Sequence, residues 1–189
     1  MSKACHGLPM PLRKLFFATL LALLPCLGLA QQESSSTEIK PPFNLNWSTP
    51  ADMLEKLLKG AKATIVQRRR MQDGRESWEV AGLVAQSGVK RTIFYFQRNE
   101  LVEVELQYEK PEWDEAKYNE YMGQLRRVIE KRYGAGEQIV RRTEPEGDVL
   151  QTLVGYKWNL NNTAIELFYY CAEQTPNVYR TLSVHYKGY

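Results

Sequence analysis

Cysteine and histidine are nearly missing from this chain of 189 residues, which has three of the first and two of the second. Cys5, Cys26 and His6 all fall in the first thirty residues, so the remainder keeps only Cys171 and His185. A lone cysteine excludes an internal disulfide, and stability must then come from a packed core. One cysteine and one histidine are also too few for a zinc site of three or four such ligands, so no metal and no other cofactor is expected. An excess of one charge is missing too. Lys3, Arg13 and Lys14 are three of the 25 basic residues, none of the 22 acidic ones lies in residues 1–30, and 22 of each sign remain beyond. The sequence pI near 8.7 therefore belongs to the start of the chain, and no nucleic-acid partner is expected. Long hydrophobic runs are absent as well: residues 15–24 are too short for a comfortable membrane span and are followed by Pro25 and Gly28.

What is present at the start is a basic segment, that short apolar run, and Gly28-Leu29-Ala30, with small residues where a signal peptidase reads them. Residues 1–30 are read as a signal peptide cleaved after Ala30. The product is expected to be exported, to a bacterial periplasm ahead of the medium, with no transmembrane span. Cys26 follows Pro25 where lipoprotein processing needs a small residue, so a lipid anchor is not expected. Residues 31–48 are read as a flexible N-terminal segment, rich in Gln, Ser, Glu and Pro as far as Pro42, with order beginning near residues 43–47.

From residue 49 to 188 the pattern is that of a single α+β domain. Thr49-Pro50-Ala51-Asp52 supplies a cap, a proline and an acid, and Met53, Leu54, Leu57 and Leu58 form a helical stripe that Gly60 would stop. The period then changes to two. Breaks at Asp73-Gly74, Ser87-Gly88 and Arg98-Asn99 divide residues 63–109 into four strands, in the last of which Val102, Val104, Leu106 and Tyr108 alternate with Glu103, Glu105 and Gln107. A helix over 114–133 follows, with Tyr118, Tyr121, Met122, Leu125, Val128 and Ile129 on one side, acids at its start, and bases before Gly134 at its end. Alternation returns over 137–144, 149–160, 163–171 and 178–187.

Two units of one helix and four strands, 49–110 and 113–188, are thus expected. Adding 74 to a residue number carries Gly60 to Gly134, Ile65-Val66 to Ile139-Val140, Arg68 to Arg142, Val80 to Val154, and Phe94-Tyr95-Phe96 to Phe168-Tyr169-Tyr170. After an insertion near 173–177 an offset of 78 pairs Val104, Leu106 and Tyr108 with Leu182, Val184 and Tyr186. Joined edge to edge, the units would make one antiparallel sheet with both helices packed on one face. This layout resembles that of beta-lactamase inhibitory protein-like tandem-repeat domains. The resemblance lies in arrangement over about residues 49–188 and not in motifs, since the paired cysteines of that inhibitor are missing. It implies only that such a sheet can bind a protein.

Few residues suggest chemistry. Cys171 and His185 are a possible nucleophile and base, with a buried thiol and an exposed histidine as the simpler account. Glu166, with Glu103 and Glu105, is a possible acid–base set for glycan hydrolysis, although a wet strand face accounts for the last two. Arg68 and Arg70 should share one face of a hairpin whose Arg69 takes the other, a poor polyanion groove. The aromatic strands lead further. Ile93-Phe94-Tyr95-Phe96 and Leu167-Phe168-Tyr169-Tyr170 are apolar on both sides, so the helices can cover only one set. Phe94, Tyr95, Phe96, Phe168, Tyr169 and Tyr170 are therefore the candidate interaction surface, to be covered by a partner protein, a second copy, a ligand, or the N-terminal segment with Phe43 and Trp47 folded back. The expectation is an exported, non-catalytic binding module, with a small hydrolase using Glu166 or Cys171 and His185 as the alternative.

Overall fold

Turn chemistry and alternation place most of the elements. In a computed structural model that describes residues 38–83 and 88–189, α1 (Ala51–Gly60) precedes β1 (Thr64–Arg70), β2 (Glu76–Ala81), β3 (Arg91–Gln97) and β4 (Glu100–Tyr108). Then follow α2 (Glu115–Tyr133), β5 (Glu137–Glu146), β6 (Val149–Leu160), β7 (Thr163–Gln174) and β8 (Asn177–Gly188). The protein is α+β, with one eight-stranded antiparallel sheet in the order β1-β2-β3-β4-β8-β7-β6-β5. All described residues belong to one compact unit, Ser34–Tyr189; the signal peptide expected over residues 1–30 and its cleavage after Ala30 lie outside the described residues.

Local chemistry differs from expectation at α1. Pro50 itself is the extended residue before the helix, and Thr49 turns its hydroxyl back to the Asn46 carbonyl at 2.6 Å instead of capping. Gly60 is the last residue of the helix, as expected, but it does not take the left-handed turn that follows. The left-handed residue is Lys62 (φ 57°), and the bonds Ala63 N–H to Leu58 O and Lys62 N–H to Lys59 O close the last turn. Helix α2 behaves as its charges require, with the Asp114 side chain accepting from Lys117 N–H at 2.8 Å and Gly134 at φ 83° closing it. Tyr118, Met122 and Ile129 are buried, while Val128 stands 68% exposed. The Tyr118 hydroxyl accepts from Lys110 N–H at 2.7 Å and donates to the Arg180 carbonyl at 3.0 Å, fastening α2 to the end of β4 and to β8.

Cross-strand partners share a face, so the register sorts every side chain. One face, the core face, carries Trp78, Phe94, Val104 and Tyr186 along one row and Val80, Thr92, Leu106, Val184, Leu167 and Tyr156 along the next. The outer face carries Tyr95, Glu103, Glu105, His185, Glu166 and Phe168. A bulge shifts β4 at Val102, so that Leu101, opposite Phe96, enters the core in its place. The 74-residue offset fails across β3 and β7. Phe94 lies on the core face and Phe168 on the outer one, and the residue in Phe94's register position is Tyr169, because a one-residue slip exchanges faces.

Packing begins earlier than residue 43. Ile39 is fully buried, its N–H donates to Thr163 Oγ1 at 2.9 Å, and its carbonyl accepts from the Trp47 indole at 2.8 Å. Trp47 lies flat on Gly188, where any Cβ would come within 2.6 Å of the ring. Residues 48–51 then run beside 99–101, with Ser48 N–H bonded to Leu101 O and Ala51 N–H to Asn99 O. Among the described residues, no helix is long and apolar enough to cross a membrane.

Candidate functional site

The six aromatic candidates divide by face. Phe94, Phe96 and Tyr169 are almost wholly buried in the core, so they form no part of an interaction surface; Tyr95, Phe168 and Tyr170 remain half-buried on the outer face. Phe168 lies down over Gly155, its partner across β6 and β7, and beside Val140. Glycine is needed there, since a Cβ would come within 2.6 Å of the ring. The edge of Phe168 meets His185 at 5.6 Å and 82°, and Tyr170 leans on the exposed Tyr179 at 6.3 Å.

Between these rings runs a row of charge. Glu103, Glu105 and Glu166 are only 7%, 6% and 8% exposed, so the wet strand face expected for the first two is not what surrounds them. Each has partners. Glu103 accepts from Arg75 Nη1 on one oxygen and from His185 Nδ1 on the other, both at 2.8 Å. Glu105 accepts from the Tyr95 hydroxyl and from Gln107 Nε2, both at 2.6 Å. Glu166 sits between Lys187 at 2.6 Å and Lys157 at 3.2 Å. These pairs come from the register, since β4 and β7 both lie against β8 and alternate residues of all three strands meet on this face.

Electrostatics keep two of the acids charged. Burial opposes the charge on Glu103, but the His185 hydrogen bond and the fields of His185, Lys187 and Arg75 outweigh it and hold the carboxyl below the usual carboxylate range. Glu166 is held down in the same way, burial again opposing and Lys187 and then Lys157 prevailing. Tyr95 is pushed well above its usual range by burial and then by the negative Glu105 beside it. A glycoside-cleaving pair needs one carboxyl kept protonated near neutrality, and neither Glu103 nor Glu166 is tuned that way.

The remaining candidates are placed as follows. Cys171 is buried on the core face opposite Arg180, whereas His185 projects from the outer face, so the sheet itself separates the suggested nucleophile and base. Burial also pushes the Cys171 thiol up, away from thiolate. His185 is not exposed as expected but 18% accessible and bonded at both ring nitrogens, to Glu103 and to Ser183 Oγ at 2.9 Å. Arg68 and Arg70 do share a face, and Arg69 takes the other. Arg68 is occupied by Glu55 of α1 at 2.8 Å and by the Trp78 ring at 4.2 Å, while Arg70 is exposed. Among the described residues, no group of three His, Cys, Asp or Glu side chains is arranged to hold a metal ion.

Compared with protein-family models, curated proteins and solved structures, the chain matches none. Sequence reasoning missed Ser183, although its spacing of two from His185 on a strand puts both on one side, and it missed the joining of Glu103 to them across β4 and β8.

Proposed function

We propose that this is an exported binding module of the bacterial envelope that recognises a protein through the outer face of its sheet. The observation that carries the reading is the pairing of half-exposed Tyr95, Phe168, Tyr170 and Tyr179 with a charge network whose side chains are already fixed. Rings set among satisfied polar groups give large contact area at low ordering cost, which is what a protein-recognition surface requires. An open groove of about 590 Å³ extends this surface toward β1, between Arg69, Ser77, Ile93 and Tyr95. The basic start, short apolar run and Gly28-Leu29-Ala30 support export with cleavage after Ala30.

The module, in this reading, is a duplicated helix-plus-four-strand unit with both helices on one face, laid out like the beta-lactamase inhibitory protein-like domains. Glu55 of α1 reaches Arg68 above Trp78, and Tyr118 of α2 packs on Tyr169 at 5.9 Å; Trp78 and Tyr169 both belong to the core face. Val104 pairs with Tyr186, Leu106 with Val184, and Tyr108 with Leu182, so strands equivalent under the 78-residue offset pair with each other about a two-fold centred on Leu106 and Val184. The first strand of each half carries a bulge, near Val66 and Ile139.

The test is recovery of a partner by the tagged chain beginning at Gln31, expressed in a bacterial envelope and stabilised by brief cross-linking. A near-stoichiometric protein should accompany the wild type and a Val128→Glu control on α2, and be lost from Phe168→Glu and Tyr170→Glu. Equal recovery with all four proteins, or recovery of none, removes the reading; recovery of the chain's own second copy would make it a self-associating module.

A further inference from the structure

We propose that Ser183, His185 and Glu103 form a nucleophile, base and orienting acid, and that the outer face cleaves small esters by acyl transfer through Ser183. The contacts run atom to atom in the required order: Ser183 Oγ to His185 Nε2 at 2.9 Å, and His185 Nδ1 to Glu103 Oε1 at 2.8 Å. Arg75 Nη1 holds the other oxygen of Glu103 at 2.8 Å, which fixes the plane of the carboxylate. Phe168 braces the imidazole edge-on, and the glycine at 155 lets it do so.

The proton positions follow from these partners. An ionised carboxylate only accepts hydrogen bonds, so Nδ1 must carry a proton toward Glu103. In the neutral ring Nε2 then presents its lone pair, and the Ser183 hydroxyl donates to it. This is the arrangement that makes a serine nucleophilic. Glu105 Oε1 lies 3.7 Å from Nε2, on the side where the ring takes up the serine proton.

Ser183 stands in the register between Gln107 of β4 and Phe168 of β7. Strand pairing occupies the backbone here, so a developing oxyanion must be met by a side chain. Gln107 is the one in place: its amide has two protons, and one already goes to Glu105 at 2.6 Å. With a single neutral donor, polarisation is weak, and the substrates assigned are uncharged esters with a good leaving group and an aromatic or apolar acyl part that lies along Phe168, not amides. Ser183 Oγ bonds to the carbonyl carbon as its proton passes to His185 Nε2. The carbon–alkoxy bond then breaks, and the alcohol leaves with that proton. Water, deprotonated by the same nitrogen, releases the acid and restores Ser183.

The experiment treats the purified chain beginning at Gln31 with a fluorophosphonate probe and an aryl acetate, maps the adduct by peptide mass, and follows acylation in single turnover. The expected result is one adduct on Ser183, absent in Ser183→Ala, and acylation at least ~100-fold slower in His185→Gln. Ser183→Ala removes only a small half-buried hydroxyl, so it should retain the wild-type circular dichroism even where His185→Gln does not. No adduct, an adduct on another residue, or acylation unchanged in a folded His185→Gln would overturn the proposal. Ser183→Ala should still recover the protein partner while Phe168→Glu should not, so each idea can fail without the other.

Discussion

Glu103→Gln keeps the shape of a nearly buried side chain and removes its charge, which makes it the sharpest probe of the outer face. Two charge-assisted hydrogen bonds are weakened, each worth about 1.5–3 kcal/mol where solvent is excluded. The Arg75 side chain is 28% exposed and retains Asp73 at 2.7 Å, so its share is discounted for screening; the His185 side chain, 18% exposed, counts nearly in full. The expected loss is about 2–3 kcal/mol, read as a lower urea midpoint with unchanged slope at pH 7. Acid should erase the difference. Because the folded carboxyl is held below its ordinary value of 4.5, its contribution is complete above that value and disappears as pH falls through the folded one. Wild type and variant should therefore converge below about pH 4.5. Combining the variant with His185→Gln should give a coupling of at least about 1 kcal/mol. A loss under about 0.5 kcal/mol at pH 7, or a gap that does not change with pH, would show that Glu103 is not held by these partners.

Gly155→Ala should destabilise by about 1–3 kcal/mol in chemical unfolding because the methyl meets the Phe168 ring, and adding Phe168→Val should restore part of the loss; additive effects would deny the contact. Ile39→Ala should lower the unfolding free energy by about 2–4 kcal/mol, and an effect near zero would mean that the segment before α1 does not pack on the sheet. Tyr118→Phe leaves the Lys110 N–H and the Arg180 carbonyl without their hydroxyl and should cost about 1–3 kcal/mol, with faster amide exchange at Lys110 as the local sign.

Most element positions could be read directly because they rest on local chemistry: Asp73-Gly74 and Arg98-Asn99 turn the chain, Asp114 caps α2, and Gly134 ends it. What could not be read depends on phase. In Ile93-Phe94-Tyr95-Phe96 both faces are apolar, so no contrast marks which two rings are core, and the bulge at Val102 moved the phase of β4 by one residue without any glycine to announce it. Glu103 and Glu105 looked wet because alternation distinguishes charged from apolar, not exposed from buried. His185 and Lys187 on β8 are some eighty residues away, and only the β4–β8 register brings them to the row of Glu103 and Glu105, while Arg75 reaches Glu103 from the other side, from just before β2. Thr49 failed as a cap for a simpler reason: the Asn46 carbonyl competed for its hydroxyl.

The two halves of the sheet are joined between β4 and β8, and β8 follows the other seven described strands in sequence. During synthesis, then, the first four strands carry an unclosed edge at what will become the middle of the molecule, and the row of Glu103 and Glu105 waits without its histidine and lysine. The central seam closes by pairing residues some eighty apart in the chain, the kind of long-range contact that slows folding and leaves strand edges open in the meantime.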